Sequence, residues 1–267
     1  MVKDSDIYLF ADDTKIFKTI LTPTDQEKLQ ADLNHLNKWT EKSLLQFHPD
    51  KCSSMTISSK KLRPDARNYH IEQKTLKEIN REKDLGVIID NQLKFEDHML
   101  EKIKKANSMM AIIRRSFTYL DQRTFILLYK SLVRPHLEYC NQIWSPHLVK
   151  HTTAIENVQR RATRQIPGLA NLTYEERLRK LNLPTLAYRR LRGDMIEVYK
   201  LAKGNYDAEV TGNFLKFSPR TSRGHNLRLT KQTPHSSLRR YSFTYRVVNT
   251  WNSLPERIIQ APSDCYY

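Results

Sequence analysis

Residues Ile7 to Phe17 read IYLFADDTKIF, two apolar runs separated by a pair of aspartates. The first run predicts a buried strand and the second predicts its partner, so the bend falls at Asp12 and Asp13. Adjacent carboxylates repel each other, and a hard divalent cation with oxygen ligands relieves that repulsion. The alternative is a plain polar turn, because Asp favours turns by bonding its own backbone. The stretch therefore predicts a hairpin with a potential magnesium site at its bend.

Downstream of this hairpin, the sequence predicts one long helix and several short strands. Leucines at helical spacing favour a helix over 24–44, opened by a capping box of Thr24 and Glu27. The short strands are predicted at 53–58, 69–71 and 85–90. The polar, proline-containing stretch 60–67 is predicted to connect them. This first part is therefore expected to mix α and β structure.

Beyond Phe95 the apolar residues recur at helical spacing. Three sets are predicted to face inward: Ile103, Ala106, Met110 and Ile113; Phe125, Leu128, Leu132 and Val133; and Ile155, Val158 and Ala162. Pro135 is expected to bend or end the second of these helices, since proline lacks an amide hydrogen. The chain as a whole is therefore predicted to be an α+β protein with a helical second part.

The last third of the chain combines helices with a segment of turn residues. Thr173 and Glu176 predict another capping box, and Pro184 suits the first turn of the next helix. Residues 205–235 shift to Gly, Ser, Thr and Pro, which predicts an extended or partly disordered linker. An amphipathic stretch follows at 241–251.

The chain is strongly basic, with a net charge of +16 and a pI near 9.7. Lysine and arginine neutralise phosphates and release counterions, so a nucleic acid is the favoured partner, with basic faces that merely solubilise helices as the alternative. Cys52, Cys140 and Cys265 lie far apart without Cys-x-x-Cys spacing, which predicts reduced thiols and no disulfide partner. Because no bilayer-length apolar run or secretory signal is present, we expect the cytoplasm and nucleus and no membrane partner.

Several phrases of the sequence carry a family resemblance. Phe10-Ala11-Asp12-Asp13 resembles the aromatic-x-Asp-Asp box of reverse transcriptases. Later phrases follow in the order typical of non-LTR, LINE-type retrotransposons of the jockey and CR1 kind: FHPDKC (47–52), EKDLGVIID (82–90), LYKSLVRPHLEYC (128–140), VQRRATR (158–164) and WNSLP (251–255). The resemblance therefore covers nearly the whole chain.

This resemblance implies an RNA-directed DNA polymerase, a nucleotidyltransferase that extends a DNA primer on an RNA template with deoxynucleoside triphosphates. Asp12 and Asp13 would then be the catalytic ligands of Mg²⁺ in a two-metal mechanism. Lys51 matches a lysine near the triphosphate that would protonate the leaving pyrophosphate, and a solvated surface lysine is the alternative.

The resemblance also implies contacts with the template and primer. The primer-grip hairpin is matched by Leu85, Gly86 and Val87, with a strand bulge as the alternative. Seven arginines are expected to track phosphates from a helical thumb: Arg114, Arg115, Arg160, Arg161, Arg164, Arg189 and Arg190. Each alone could equally be a solvated side chain. Trp39, Trp144 and Trp251 sit among apolar neighbours and are expected in the core.

The expected organisation is a partial polymerase palm over 1–92, a helical thumb and connection region over 93–204, and a basic linker and tail over 205–267. In the family, fingers and a strand with another catalytic aspartate precede the box, and neither fits before Ile7. We therefore expect this chain to be inactive alone. The alternatives are a non-catalytic nucleic-acid-binding protein and a non-functional relic of the element.

Overall fold

The computed structural model describes residues 3–43, 47–58, 68–117, 119–212, 214–219 and 225–261. The chain divides into two compact units, and the division falls between Lys94 and Phe95. The first unit combines small sheets with one long helix, and the second is built mainly from helices. The predicted α+β class is confirmed at this level.

The strands of the first unit are short and pair two by two. Their bounds are β1 Asp6–Phe10, β2 Asp13–Phe17, β3 Ser53–Ser54, β4 His70–Ile71, β5 Lys74–Thr75, β6 Lys77–Glu78, β7 Arg81–Asp84 and β8 Val87–Asp90. Among the described residues, β1–β2, β4–β5 and β7–β8 are antiparallel hairpins and β3–β6 is a parallel pair. The predicted strands are present but shorter than expected, and the predicted connection 60–67 lies outside the described residues.

Helix α1 runs from Pro23 to Lys42 and starts earlier than predicted. Its capping box joins Thr22 to Asp25, whose carboxylate accepts from the Thr22 amide at 2.8 Å, so the predicted box of Thr24 and Glu27 is wrong. Pro23 explains the shift, because proline at the first helical position costs no hydrogen bond. The bonds from the Thr22 side chain and from nearby backbone amides lower the pKa of Asp25.

Polar side chains fix α1 within the first unit. Asp32 is buried and accepts from the amides of Lys3 and Asp4 at 2.9 and 3.0 Å. Gln30 bonds both the carbonyl and the amide of His70 on β4, at 2.8 and 2.9 Å. A buried carboxylate is stable only when such donors satisfy it, so these bonds hold the start of the chain and β4 against the helix.

The second unit is a succession of helices. Their bounds are α2 Glu96–Ser116, α3 Gln122–Leu128, α4 Arg134–Glu138, α5 Asn141–Trp144, α6 Val149–Arg164, α7 Tyr174–Leu181, α8 Leu186–Ala202, α9 Ala208–Thr211, α10 Ser237–Tyr241, α11 Phe243–Asn252 and α12 Glu256–Ile259. The predicted capping box of Thr173 and Glu176 is confirmed at the start of α7. Pro184 lies just before the N-cap of α8, Thr185, rather than inside its first turn.

Two of the three predicted inward faces are confirmed. On α2, Ala106, Met110 and Ile113 are buried and Ile103 is half-buried. On α6, all three residues that were predicted to face inward are buried: Ile155, Val158 and Ala162. The exposed side of α6 carries arginines, as the sequence indicated. Helices α2 and α6 pack against each other through these faces.

The third predicted face is confirmed only for Phe125 and Val133, because a π turn interrupts the helix. Residues Tyr129–Val133 form this turn between α3 and α4. The buried side chains are Phe125, Tyr129, Val133 and Leu137, while Leu132 is exposed and Leu128 half-buried. Proline cannot donate to the preceding turn and its ring crowds the carbonyl there, so the wider π turn lets the chain pass Pro135 and continue as α4.

The segment after α8 is folded rather than extended where the structure describes it. Leu215, His225 and Leu229 are buried, and Phe217 pairs with Leu229 in an antiparallel bridge. The prediction of a linker over 205–235 is therefore wrong for these residues. Buried apolar residues from the second half of α8 and from α11 and α12 form one core with Leu215 and Leu229, which includes the fully buried Trp251.

Gly193 lies inside α8, where glycine weakens a helix because its unfolded backbone is freer. A Cβ added there would meet only the Asn141 side chain, at 3.6 Å or more, which is ordinary van der Waals contact. Gly193→Ala is therefore expected to raise the free energy of unfolding by about 0.5–1 kcal/mol. Urea unfolding followed by circular dichroism measures this change. Gly204→Ala is the opposite control, because its φ of +70° strains an alanine, and stabilisation there would contradict the argument.

Candidate functional site

The two predicted metal ligands lie at the bend of the β1–β2 hairpin. Phe10 pairs with Asp13, so Ala11 and Asp12 form a two-residue loop and Asp13 begins β2. Both aspartates are exposed. Ala11 adopts a left-handed backbone with φ of 52°, a conformation that costs a non-glycine residue roughly 1–2 kcal/mol. The predicted hairpin with acids at its bend is confirmed.

The expectation that β1 is buried is wrong. Leu9 is 69% and Phe10 59% exposed, and the other residues of the strand are exposed as well. Within the described residues β1 pairs only with β2, so a two-stranded ribbon has no sheet to cover its apolar side chains. One such side chain, Tyr8, packs edge-on against Phe17 on the neighbouring strand, with ring centroids 5.6 Å apart.

An ion pair ties this hairpin to the β7–β8 hairpin. Asp13 and Lys15 project from the same face of β2, since side chains alternate along a strand. The Lys15 ammonium contacts the carboxylate of Asp84, the last residue of β7. Both side chains are about a quarter exposed, so the pair is partly shielded from solvent. The turn that follows Asp84 is therefore linked to the face of the hairpin that carries Asp13.

That second turn has the geometry of a tight hairpin. Asp84 pairs with Val87, which leaves Leu85 and Gly86 as a two-residue loop. Both loop residues have positive φ, 44° and 83°, as a type I′ turn requires, and glycine is the residue best suited to its second position. Leu85 is exposed and Val87 buried. The predicted hairpin is confirmed and the alternative of a strand bulge is not found.

Lys51 ends a short 3₁₀ turn, Pro49–Lys51, and is exposed. In the part of the chain that the structure describes, it makes no ion pair with Asp12 or Asp13. The neighbouring Asp50 forms an ion pair with Lys74, and this pair lowers the pKa of Asp50. The described residues also contain no group of three or more His, Cys, Asp or Glu side chains that could hold a metal ion.

Five of the seven predicted arginines are exposed on the second unit. Arg114 and Arg115 lie in the last turn of α2, and a further set lines the solvent side of α6: Arg160, Arg161 and Arg164. Arg161 donates to the Asn107 side chain on α2 at 3.1 Å. The guanidinium of Arg160 lies 4.2 Å from the centroid of the Tyr174 ring, a cation–π contact.

The other two arginines are structural. Arg190 is only 5% exposed, so it cannot reach a phosphate and the prediction for it is wrong. Arg189 is part-buried and binds both carboxylate oxygens of Glu138, which raises the pKa of Arg189. Its guanidinium is therefore occupied by a carboxylate. The acid that Arg189 binds lies on another helix, α4, which helical spacing alone does not reveal.

Two of the three tryptophans that were predicted to lie in the core are buried, and the third is exposed. Trp144 and Trp251 are buried, as predicted. Trp39, at the end of α1, is 53% exposed, so its predicted place in the core is wrong.

Among the described residues, no helix is both long enough and apolar enough to cross a membrane.

Several residues that shape these two regions are not among the predicted site residues. Lys15 and Asp84 link the two hairpins, and Asn107 positions Arg161. The position of Lys15, two residues after Asp13, was the available signal, because residues at that spacing share a strand face. No sequence pattern indicates the role of Asn107, because that role depends on the packing of α2 against α6.

These features define a basic α+β protein with paired acids at a strained hairpin turn and exposed arginines on a helical unit. Comparison with curated proteins places it beside polymerases of mobile elements. The chain is 27% identical over 170 residues to "RNA-directed DNA polymerase from mobile element jockey" of Drosophila funebris. It is 23% identical over 165 residues to "Probable RNA-directed DNA polymerase from transposon X-element" of Drosophila melanogaster.

A third relative, the jockey polymerase of Drosophila melanogaster, is 24% identical over 177 residues. These alignments cover 60–62% of this chain but only 18–19% of the relatives, so the chain spans about a fifth of their length. Protein-family models give no match, and no solved structure matches. The resemblance to jockey-type polymerases is confirmed by these relatives.

Proposed function

We propose that the chain contributes to RNA-directed DNA synthesis by a mobile element of the jockey type. The observation that carries this proposal is the pair of tight hairpin turns, one with Asp12 and Asp13 and one with Leu85 and Gly86, linked through Lys15 and Asp84. A polymerase needs a carboxylate site for metal and a nearby element that holds the primer end, and these two turns supply both types of group. The names of the relatives support the same assignment.

Asp12 and Asp13 are the proposed magnesium ligands. Two adjacent exposed carboxylates fit Mg²⁺, which proteins commonly hold through one or two carboxylates together with substrate phosphates. When bound, the ion would neutralise charge on the transferred phosphate. A two-metal site needs carboxylates from a further strand, and none of the described residues joins this pair. We therefore propose that the chain alone does not polymerise DNA.

The remaining residues have supporting roles in this proposal. The exposed turn of Leu85 and Gly86 would hold the primer end beside Asp13, with the buried Val87 anchoring the hairpin. Lys51 would donate a proton to pyrophosphate once template and nucleotide bring its turn to the site. The helical unit, proposed as the thumb, would contact template and primer phosphates through its exposed arginines.

Metal binding at the turn is the direct test. Titration of the isotope-labelled full chain with Mn²⁺, a paramagnetic substitute for Mg²⁺, is expected to broaden the amide signals of residues 11–14 first. Asp12→Asn combined with Asp13→Asn should weaken this binding by about tenfold or more, because an amide is a poorer ligand than a carboxylate. Asp6→Asn is the control, because the same type of replacement removes one carboxylate from the far end of the hairpin.

Unchanged broadening in the double variant would contradict the metal site. Primer extension on an RNA template supplies the second readout, since the chain alone is expected to give no product. Extension by the unmodified chain would overturn the proposed inactivity, and its loss in the double variant would place the activity at this turn.

A second function, binding of nucleic acid without catalysis, is favoured by the arginines on α2 and α6. These side chains are exposed, and the chain carries a net charge of +16. This function requires neither aspartate, so it predicts that binding of an RNA–DNA duplex survives the double replacement unchanged. Loss of duplex binding in that variant would count against it.

A further inference from the structure

A small cleft lies between α2 and α6 on the second unit. Its polar lining comes from Asn107 and Arg114 on α2, from Arg161 on α6 and from Gln165, which ends that helix. Its other side chains are apolar. The cleft measures about 100 Å³, well below the roughly 300–1,000 Å³ of pockets that enclose whole small molecules. It can therefore receive a single charged group rather than a complete nucleotide.

The charges of the cleft favour an anion. Arg114 and Arg161 approach from two different helices, and neither forms an ion pair with an acid among the described residues. Two guanidinium groups on one small cleft repel each other, and a shared anion relieves this repulsion. A planar guanidinium can donate two hydrogen bonds to the oxygens of one phosphate, so it matches a phosphate better than the compact ammonium of a lysine does.

One of the two arginines is held in position. The Asn107 carbonyl oxygen accepts from Nη2 of Arg161 at 3.1 Å, which uses one of its five N–H donors and leaves the others available. A guanidinium fixed in this way loses less freedom when it binds. Asn107 is therefore a positioning residue that acts through Arg161.

We propose that the cleft between α2 and α6 binds one phosphate of a nucleic-acid backbone, gripped by Arg114 from one side and Arg161 from the other. This inference rests on the proposed function, because it identifies where the helical unit holds its template and primer. A backbone phosphate carries no base identity, so the site fixes position along a duplex without selecting sequence. A free phosphate ion shares the same chemistry and must be distinguished by experiment.

A simpler reading of these arginines is that they only stabilise helix ends. Arg114 and Arg161 both lie in the last turn of their helices, where cations interact favourably with the helix dipole. That role predicts lower thermal stability on replacement and no selective change in binding. Phosphate binding and helix-end stabilisation therefore predict different results in a binding assay.

The test measures binding of a fluorescein-labelled RNA–DNA duplex to the full chain by anisotropy, over a series of salt concentrations. Arg114→Gln and Arg161→Gln are each expected to weaken binding by about tenfold and to reduce the salt slope by about one unit. Asn107→Ala should weaken binding by a smaller factor and leave the salt slope unchanged, because the charge remains. Arg257→Gln on α12 is the control with the same loss of charge, and it is expected to change binding less than twofold.

Equal losses in Arg114→Gln, Arg161→Gln and Arg257→Gln would mean that only total charge matters, and would overturn the site. Competition with inorganic phosphate separates the two sources of the ligand. Displacement only at high phosphate concentration supports a backbone site, whereas displacement at low concentration would show a site for the free ion instead. Circular dichroism of each variant establishes that it is folded, and Asn107→Ala tests the site without altering charge. The outcome is independent of the metal site, because all these variants leave Asp12 and Asp13 intact.

Discussion

Replacing Arg246 with alanine is expected to lower the free energy of unfolding of the second unit by about 3–5 kcal/mol. Arg246 donates to both carboxylate oxygens of Asp194, at 3.0 Å from Nε and 2.9 Å from Nη2. The Asp194 side chain is 5% exposed, so the variant would leave a buried carboxylate with a single weak bond from Asn141 at 3.4 Å. Removing one partner of a buried pair is costly because water cannot replace it.

Arg246 also bonds three backbone carbonyls from two segments of the chain. Its guanidinium donates to the carbonyls of Asn141 and Gln142, at 3.3 and 3.0 Å, and to that of Tyr241 at 3.2 Å. Those carbonyls would lose their donor in the alanine variant. Urea unfolding followed by circular dichroism measures the loss. Arg239→Ala, an exposed arginine on α10, is the control and should change stability by no more than about 0.5 kcal/mol.

The effect of Arg246→Ala is expected to depend on pH. Burial raises the pKa of Asp194 even beside Arg246, and the variant removes the arginine that opposes this rise. A raised carboxyl pKa means that the folded state favours the proton, so this part of the stability is present in acid and is lost as the pH rises through the folded-state pKa. The deficit should therefore be largest at neutral pH and shrink in acid. A deficit that is constant with pH, or below about 1 kcal/mol throughout, would show that Asp194 does not depend on this partner.

Trp251→Ala is expected to cost about 3–5 kcal/mol and to release the segment around 225–229. Trp251 is fully buried, and its Nε1 donates to the Leu227 carbonyl at 2.7 Å. His225 packs edge-on against its ring, with centroids 5.8 Å apart, and bonds the Trp251 carbonyl. The variant would leave a cavity and also remove a bond that fixes the segment.

Limited proteolysis followed by mass spectrometry measures the release, and urea unfolding measures the cost. Cleavage after Arg228 should become fast in Trp251→Ala while it is slow in the unmodified chain. Trp39→Ala is the matched control, since that tryptophan is half exposed and should contribute far less. Rapid cleavage at Arg228 in the unmodified chain would mean that the segment is a linker after all.

The local elements of this chain were predictable from sequence, because local patterns specify them. The hairpin around Asp12 and Asp13 follows from two apolar runs on either side of two acids, and the turn at Gly86 follows from the need for positive φ. The capping box of Thr173 and Glu176 is a contact within one turn. In each case, the residues that determine the structure are close neighbours along the chain.

Burial was less predictable, because it depends on distant partners. Arg160 and Arg190 look alike in sequence, yet one is exposed and the other is enclosed near acids from other helices. The apolar residues of β1 indicated a buried strand, but within the described residues nothing beyond β2 pairs with it. Leu215 and Leu229 are isolated apolar residues without periodicity, so their place in the core had no local signal. The metal and primer roles at the two turns stay predictions.

The π turn at Tyr129–Val133 has a consequence for comparing this chain with its relatives. The buried side chains Phe125, Tyr129, Val133 and Leu137 are spaced four, four and four residues apart. In an α-helix each such step rotates by about 40°, which would spread the set over about 120° of the helix surface. The wider turn cancels part of that rotation and keeps the side chains together. A relative that lacks the extra residue would be expected to keep the same core with spacings of four, three and four, so a single-residue gap in an alignment at 129–133 would mark a missing π turn rather than a change of fold.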